Sequence, residues 1–171
     1  MTASLVTRLR SGDERAWEEL YDALAPDLRG YISRLGARDP DDVLGETMVN
    51  VVRDIHSFQG KDAELRPWAF RIAHNRVIDG ARRQRSRPVE VAGPADADDA
   101  SFAGPLLETP DTAEISRLLD LLTDDQKTVI WLRFVADFSL ADTATITSRS
   151  TEAVSALTLR GLRTLRQHLE A

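Results

Sequence analysis

Cysteine is missing from all 171 residues, which excludes disulfides and thiolate metal sites. Histidine is nearly as scarce: His56, His74 and His168 are scattered along the chain, a pattern that does not suggest a zinc or iron centre. No run of about 18 apolar residues exists that would span a membrane, and the opening MTASLVTRLRSGDERAW lacks the charged-then-apolar pattern of a secretory signal. These absences point to a soluble protein of a reducing, cytoplasmic compartment, with no metal or other cofactor. An excess of positive charge is absent too. The formal net charge is −6, so any nucleic-acid contact must come from a local patch rather than from the whole molecule. What the chain does have is 42% apolar residues, enough to bury one core or two small ones.

A patch of that kind exists. RPWAFRIAHNRVIDGARRQRSR, residues 66–87, holds seven arginines and one acid, Asp79. Trp68, Phe70, Ile72, Ala73, Val77 and Ile78 recur at helical spacing, which leaves Arg71, His74, Asn75, Arg82, Arg83 and Arg85 largely on other faces. Pro67 suits the first turn of this helix, where a missing N–H costs nothing.

The rest of the chain also reads as helical. From Asp13 to about Gly36 the apolar stripe of Ala16, Trp17, Leu20, Tyr21 and Leu24 resumes after Pro26 with Leu28, Tyr31, Ile32 and Leu35; Pro26 should kink or split that helix. Asp39-Pro40-Asp41-Asp42 is a helix start, with Asp39 as cap, Pro40 in the first position and carboxylates near the positive dipole end. The helix it opens carries Val43, Leu44, Thr47, Met48, Val51, Val52 and Ile55. A short polar loop, QGKDAEL, then leads to the arginine-rich helix. Residues 88–111 lack any sustained period and are rich in Pro, Gly, Ala and Asp, and ten acids face one base over 90–125, which reads as a flexible acidic tether. Beyond it, Ile115, Leu118, Leu119 and Leu122 form a stripe, and Asp124 is a candidate cap for a helix with Val129, Ile130, Leu132, Phe134 and Val135. Ser139 can cap a short helix to Thr147, and Ser150-Thr151-Glu152 starts a last one to about Leu169. A short helix, a brief turn and a longer helix have the layout of a helix-turn-helix.

These segments resemble the extracytoplasmic-function (group IV) sigma factors of the sigma-70 family, the dissociable promoter-recognition subunits of bacterial RNA polymerase. GDERAWEELYDALAPDLRGYISRLG looks like the family's opening helical pair. DPDDVLGETMVNVVRDIHSF is similar to its region 2.2, the arginine-rich helix to regions 2.3 and 2.4, and LTDDQKTVIWLRFVADFSLADTATI to the start of region 4. The implied fold is all-α: a region 2 helical bundle (1–88) and a region 4 helix-turn-helix domain (112–171), joined by the acidic linker (89–111). The implied function is to direct the polymerase to promoters and assist their opening, without catalysis. Its partners would be promoter DNA, the clamp helices of the largest polymerase subunit, the flap of the second largest, and an anti-sigma factor.

Carried over by motif position, Asp41, Asp42, Glu46 and Thr47 would dock on the clamp. Lys61, Arg71, Asn75, Arg76, Arg82, Arg83 and Arg85 would serve the minus-10 element, with the loop around residues 59–65 receiving an unstacked base. Asn75 can read a base edge, while the arginines hold phosphates, positioning without specifying. Trp68 is expected in the core, Asp79 in a tie to an arginine or the helix surface, and His74 in solvent.

Arg149, Thr151, Glu152, Ser155, Arg160 and Arg163 would face the minus-35 element. Here the chain departs from the family pattern. Ser148 and Arg149 stand where a Gly and an aliphatic residue are usual, Thr143 and Thr147 replace aliphatics, and Ser155, Ala156, Leu157 and Leu159 occupy base-reading places. Weak minus-35 reading, unusual reading, and replacement by a protein contact all stay open, as does whether Leu157 and Leu159 are core or an exposed patch. An autonomous helix-turn-helix regulator is the alternative function, but it predicts a dimer surface and a competent recognition helix that the sequence does not clearly offer. An enzyme would require a convergent nucleophile–base or metal set, and Asp41, Asp42 and Glu46 fit docking and dipole roles better.

Overall fold

The structure, a computed structural model, describes residues 3–86, 114 and 117–170. Every regular element among them is helical. The expected tether at 89–111 and Ile115 lie outside the described residues. Contacts group the chain into two units, one holding residues 1–58 with the helix from Ile72 onward, the other holding residues 59–71 with the C-terminal helices.

The first unit opens with a helix the hydrophobic pattern alone did not suggest, α1 (Leu5–Arg10). Ser4 caps it by accepting from Thr7 N–H, and it buries Val6 and Leu9. A serine cap before a Leu-Val pair was the available signal. Asp13 caps α2 (Glu14–Arg34). Pro26 does not split this helix, which runs unbroken for 21 residues. Pro26 is exposed, and the carbonyl it deprives of a donor, four residues back at exposed Asp22, can bond water. The apolar stripe holds, except that Tyr21 is 48% exposed. Helix α3 (Pro40–Asp54) begins as expected, with Asp39 accepting from Asp42 N–H and Pro40 in the first turn. At its far end Arg10 reaches across to the Ile55 and Phe58 carbonyls, satisfying acceptors that a helix end leaves open. Val52, expected in the core stripe, is 51% exposed.

Helix α4 (Asp62–Ser86) starts a turn and a half earlier than Pro67. The reason is local: the Glu64 carboxylate accepts from Lys61 N–H at 2.7 Å while Glu64 N–H bonds the Lys61 carbonyl, so most of the expected loop is helical. Pro67 sits inside the helix. One face of α4 is fully buried, with Ala69, Phe70 and Ala73 at 0% exposure; Trp68 is half-buried.

In the second unit Thr123, not Asp124, caps α5 (Asp124–Ile130), through a capping box with Gln126. The hydroxyl-to-glutamine pair supplies both reciprocal bonds, and Asp124 is left as the first helical residue. The helix then widens into a π-turn over Trp131–Val135, closed by Ala136 N–H to Trp131 O at 2.9 Å. That extra residue per turn rotates the apolar run, so Trp131 and Leu132 are buried while Phe134 and Val135, expected inside, are 57% and 47% exposed. Phe138 packs edge-to-face on Phe70 at 4.9 Å. The Arg66 guanidinium lies 4.1 Å from the Phe138 ring centroid and donates to the Ala136 carbonyl at 2.9 Å.

Ser139 caps α6 (Leu140–Thr147) and Ser150 caps α7 (Thr151–Leu169), as the sequence indicates. Val129, Ala144, Val154 and Leu157 form their common core. Gly161 lets α5 and α7 approach closely, since a Cβ there would lie 3.0 Å from Ile130 Cδ1. Thr143 and Thr147 fill aliphatic places as buried residues, and Thr147 Oγ1 donates to the Thr143 carbonyl at 2.8 Å. The turn between α6 and α7 passes through Ser148 at φ 53°, a left-handed conformation that costs an L-residue about 1 kcal/mol relative to glycine. Ser148→Gly should therefore raise the unfolding free energy by roughly 1 kcal/mol in urea titration; a loss of stability would show that the serine side chain supports the turn.

Candidate nucleic-acid interface

Two helices of the first unit present opposite charges outward. On α3, Asp42, Glu46 and Val49 share an exposed face; Val49 is 65% exposed, an apolar element at this face that sequence pattern did not mark as external. Asp41 is exposed but engaged: Arg29 grips its carboxylate at 2.6 and 3.1 Å, and this hydrogen-bonded guanidinium holds its pKa below the usual carboxylate range. Thr47 is not at the surface. It is fully buried and its hydroxyl donates to the Val43 carbonyl at 2.7 Å, so the expected docking contact is a core residue, because position 47 lies about 100° round the helix from 46 and about 140° from 42.

On α4, Asn75, Ile78, Arg82 and Arg85 fall on one stripe at spacings of three and four, opposite the buried Ala73 and Val77. Arg83 flanks it. All four polar side chains are exposed. Arg76 differs from its expected role: it donates to Asn50 Oδ1 at 3.0 Å and to Glu46 Oε2 at 3.3 Å, which ties α4 to α3 instead of leaving a free cation. Asp79 is exposed and makes no ion pair among the described residues. His74 is half-buried rather than in solvent, with its Nδ1 2.9 Å from the Tyr31 hydroxyl. Burial pushes the Tyr31 phenol well above its ordinary pKa, which keeps it neutral as a hydrogen-bonding partner.

In the second unit, Lys61 is exposed at the N-cap of α4. Arg71 lines an open groove with Thr145, Arg149 and Thr151. Arg149 also pairs with Asp125 at 2.8 Å. Along α7, Thr151, Glu152, Arg160 and Arg163 are exposed and Ser155 is half-buried. The Glu152 carboxylate is held below its ordinary pKa by its own backbone N–H and by the Thr151 hydroxyl, 3.2 Å away. Leu157 is core, whereas Leu159 is 61% exposed. Arg71, Arg82, Arg83, Arg85, Arg160 and Arg163 form no ion pair with a carboxylate among the described residues. The described residues include no cluster of acids and histidines placed to hold a metal, and no helix long and apolar enough to cross a membrane.

Sigma-70 region 2 matches residues 20–87 and Sigma-70, region 4 matches residues 118–167. The ECF RNA polymerase sigma factor SigX of Bacillus subtilis is 30% identical over 166 residues, covering 92% of this chain and 85% of SigX. The chain belongs to the ECF sigma factors of the sigma-70 family. Two solved structures share the fold. CnrH, in complex with the cytosolic domain of CnrY, is 22% identical with a TM-score of 0.67, covering 97% of this chain and 95% of that one. RpoE of Bartonella quintana, in complex with the anti-sigma factor NepR, is 22% identical with a TM-score of 0.64, covering 90% and 96%. As an ECF sigma factor, the protein directs promoter-specific transcription initiation and is not an enzyme. The region 2 match contains α3, α4 and the Tyr31–His74 bond between α2 and α4, a contact that holds the cationic helix in place. Tyr31→Phe should cost roughly 1 kcal/mol of stability, the worth of one half-buried hydrogen bond, measured by urea unfolding with far-UV circular dichroism; an unchanged midpoint would remove this bond from the account.

Proposed function

We propose that residues 1–88 act as the polymerase-docking and minus-10 module, residues 112–171 as the minus-35 module, and residues 89–111 as the tether between them. The exposed carboxylates Asp42 and Glu46, with Asp41 shared with Arg29, would meet the clamp helices of the largest polymerase subunit. Val49, one turn beyond Glu46, adds exposed apolar area at the end of that face. Acids clustered on one helix favour rapid, oriented encounter with a basic partner. The flap of the second largest subunit would receive the C-terminal module.

Helix α4 carries the reading on a single observation: Asn75, Arg82 and Arg85 share one solvent-facing stripe, with Arg83 beside it, and none of these arginines forms an ion pair with a carboxylate among the described residues. Asn75 and the three guanidiniums after it spread over about 15 Å of helix; the arginines suit the phosphates of one DNA strand, and Asn75 offers a donor and an acceptor to a base. Lys61 and Arg71 would extend this track toward the start of the helix. At the other module Thr151, Glu152, Ser155, Arg149, Arg160 and Arg163 would face the minus-35 duplex. An anti-sigma partner is proposed by analogy with the RpoE–NepR complex, and the working compartment would be the cytoplasm, where the polymerase acts.

Replacing both Arg82 and Arg83 with alanine should cut open-complex formation at least tenfold while pull-down on core polymerase stays at wild-type level, since two phosphate contacts are lost and the docking face is untouched. Full open-complex yield from that variant would reject the strand-holding role of α4. Asp42→Arg should act in reverse, weakening core association by a factor of about 10 in fluorescence titration; wild-type affinity would place the docking face elsewhere.

A further inference from the structure

The first two turns of α7 have an unusual outward face. Val154, Leu157 and Gly161 are buried. At about 100° per residue, the positions diametrically opposite are Glu152, Ala156, Leu159 and Arg163, which fall within about 60° of one another. All four are exposed, Leu159 at 61%. Until Arg163, the centre of this face offers one carboxylate and then only methyl groups. Arg160 stands at one edge, and neither it nor Arg163 has an acid partner among the described residues.

In the major groove, guanine presents only acceptors, N7 and O6, and adenine sets its N6 amine beside the N7 acceptor, which repels a carboxylate. Cytosine presents its N4 amine, a donor, and thymine presents its C5 methyl. Carboxylate and alkyl side chains therefore match the edges of pyrimidines better than those of purines, where N7 always stands as an acceptor. Building on the assignment of residues 112–171 as the minus-35 module, we propose that α7 reads a pyrimidine tract there: Glu152 accepts from a cytosine N4 amine, and Leu159 with Ala156 packs on thymine C5 methyls. Residues 152 to 159 span about 10 Å of helix, roughly three base-pair steps, so cytosine and thymines lie within one short tract. Arg160 and Arg163 hold the flanking phosphates. The occupant of the face is DNA rather than a protein because the alkyl groups are bordered by guanidiniums that have no acid partner among the described residues, on the longer helix of a helix-turn-helix.

The test uses the chain bound to core polymerase on a promoter found by mapping its transcripts. Each minus-35 thymine is replaced in turn by deoxyuridine, which deletes only the methyl group. Open-complex formation should fall about fourfold at one or two positions, the worth of a buried methyl group. Leu159→Ala, at an exposed site that spares the fold, should abolish that sensitivity, and Glu152→Gln should move the preference at one position from cytosine to adenine. Promoter-specific initiation that is indifferent to the methyl groups, or equally sensitive to them in Leu159→Ala, overturns the inference and leaves the minus-10 module standing. A Leu159→Ala defect in core binding without any change in DNA preference overturns it in favour of a protein contact. Failure of the holoenzyme to select any promoter would bring down the proposed function as well.

Discussion

Helix α4 must be apolar on one side and cationic on the other, and much of the molecule serves that requirement. Arginines crowded along a helix repel one another, so the helix needs compensation from its other face. Ala69, Phe70, Ala73 and Val77 supply it by burial, at about 1.5–3 kcal/mol for each large side chain withdrawn from water. Arg76 is drawn onto Glu46 and Asn50, and Arg66 onto the Phe138 ring and the Ala136 carbonyl. Arg82, Arg83 and Arg85 form no ion pair among the described residues, although Asp79 stands one turn back on the same helix. An acidic protein thereby keeps a concentrated positive track, with pairing elsewhere carrying part of its charge.

The C-terminal helices solve a different problem. Thr143, Thr147 and Ser148 stand where aliphatic residues and glycine are usual in the family, and each hydroxyl or backbone angle carries a cost. Thr147 satisfies its hydroxyl inside its own helix, whereas Thr143 Oγ1 is buried with no hydrogen-bond partner among the described residues, a desolvation cost of roughly 1–3 kcal/mol. Ser148 adopts the left-handed turn anyway. In the same unit Gly161 packs closely against Ile130 and Thr123 forms a capping box with Gln126.

Sequence pattern alone carried the helix boundaries wherever a side chain near in sequence decides them. Asp39, Ser139 and Ser150 act on amides two or three residues away, and each cap stands where the pattern put it. The all-α class followed from such local signals, and the family from the resemblance of motif segments in series. Errors arose where geometry depends on something outside the window. Pro26 was tolerated because its carbonyl partner faces water, the π-turn at Trp131 rotated Phe134 outward, and Thr47 proved to be core although its neighbours at 42 and 46 are external.

By itself, the order of residues determined which segments are helices, how they are capped and which of them is cationic, because these depend on contacts within four or five positions. Only the tertiary structure decided which charges are free. Arg76 and Arg82 are indistinguishable as sequence, yet one faces Glu46 and Asn50 across a helix pair and the other faces solvent. The same holds for Leu157 and Leu159, two positions apart on α7 and on opposite sides of it. Pairing and burial are properties of what packs against a helix, and residues far away in the chain supply that neighbour.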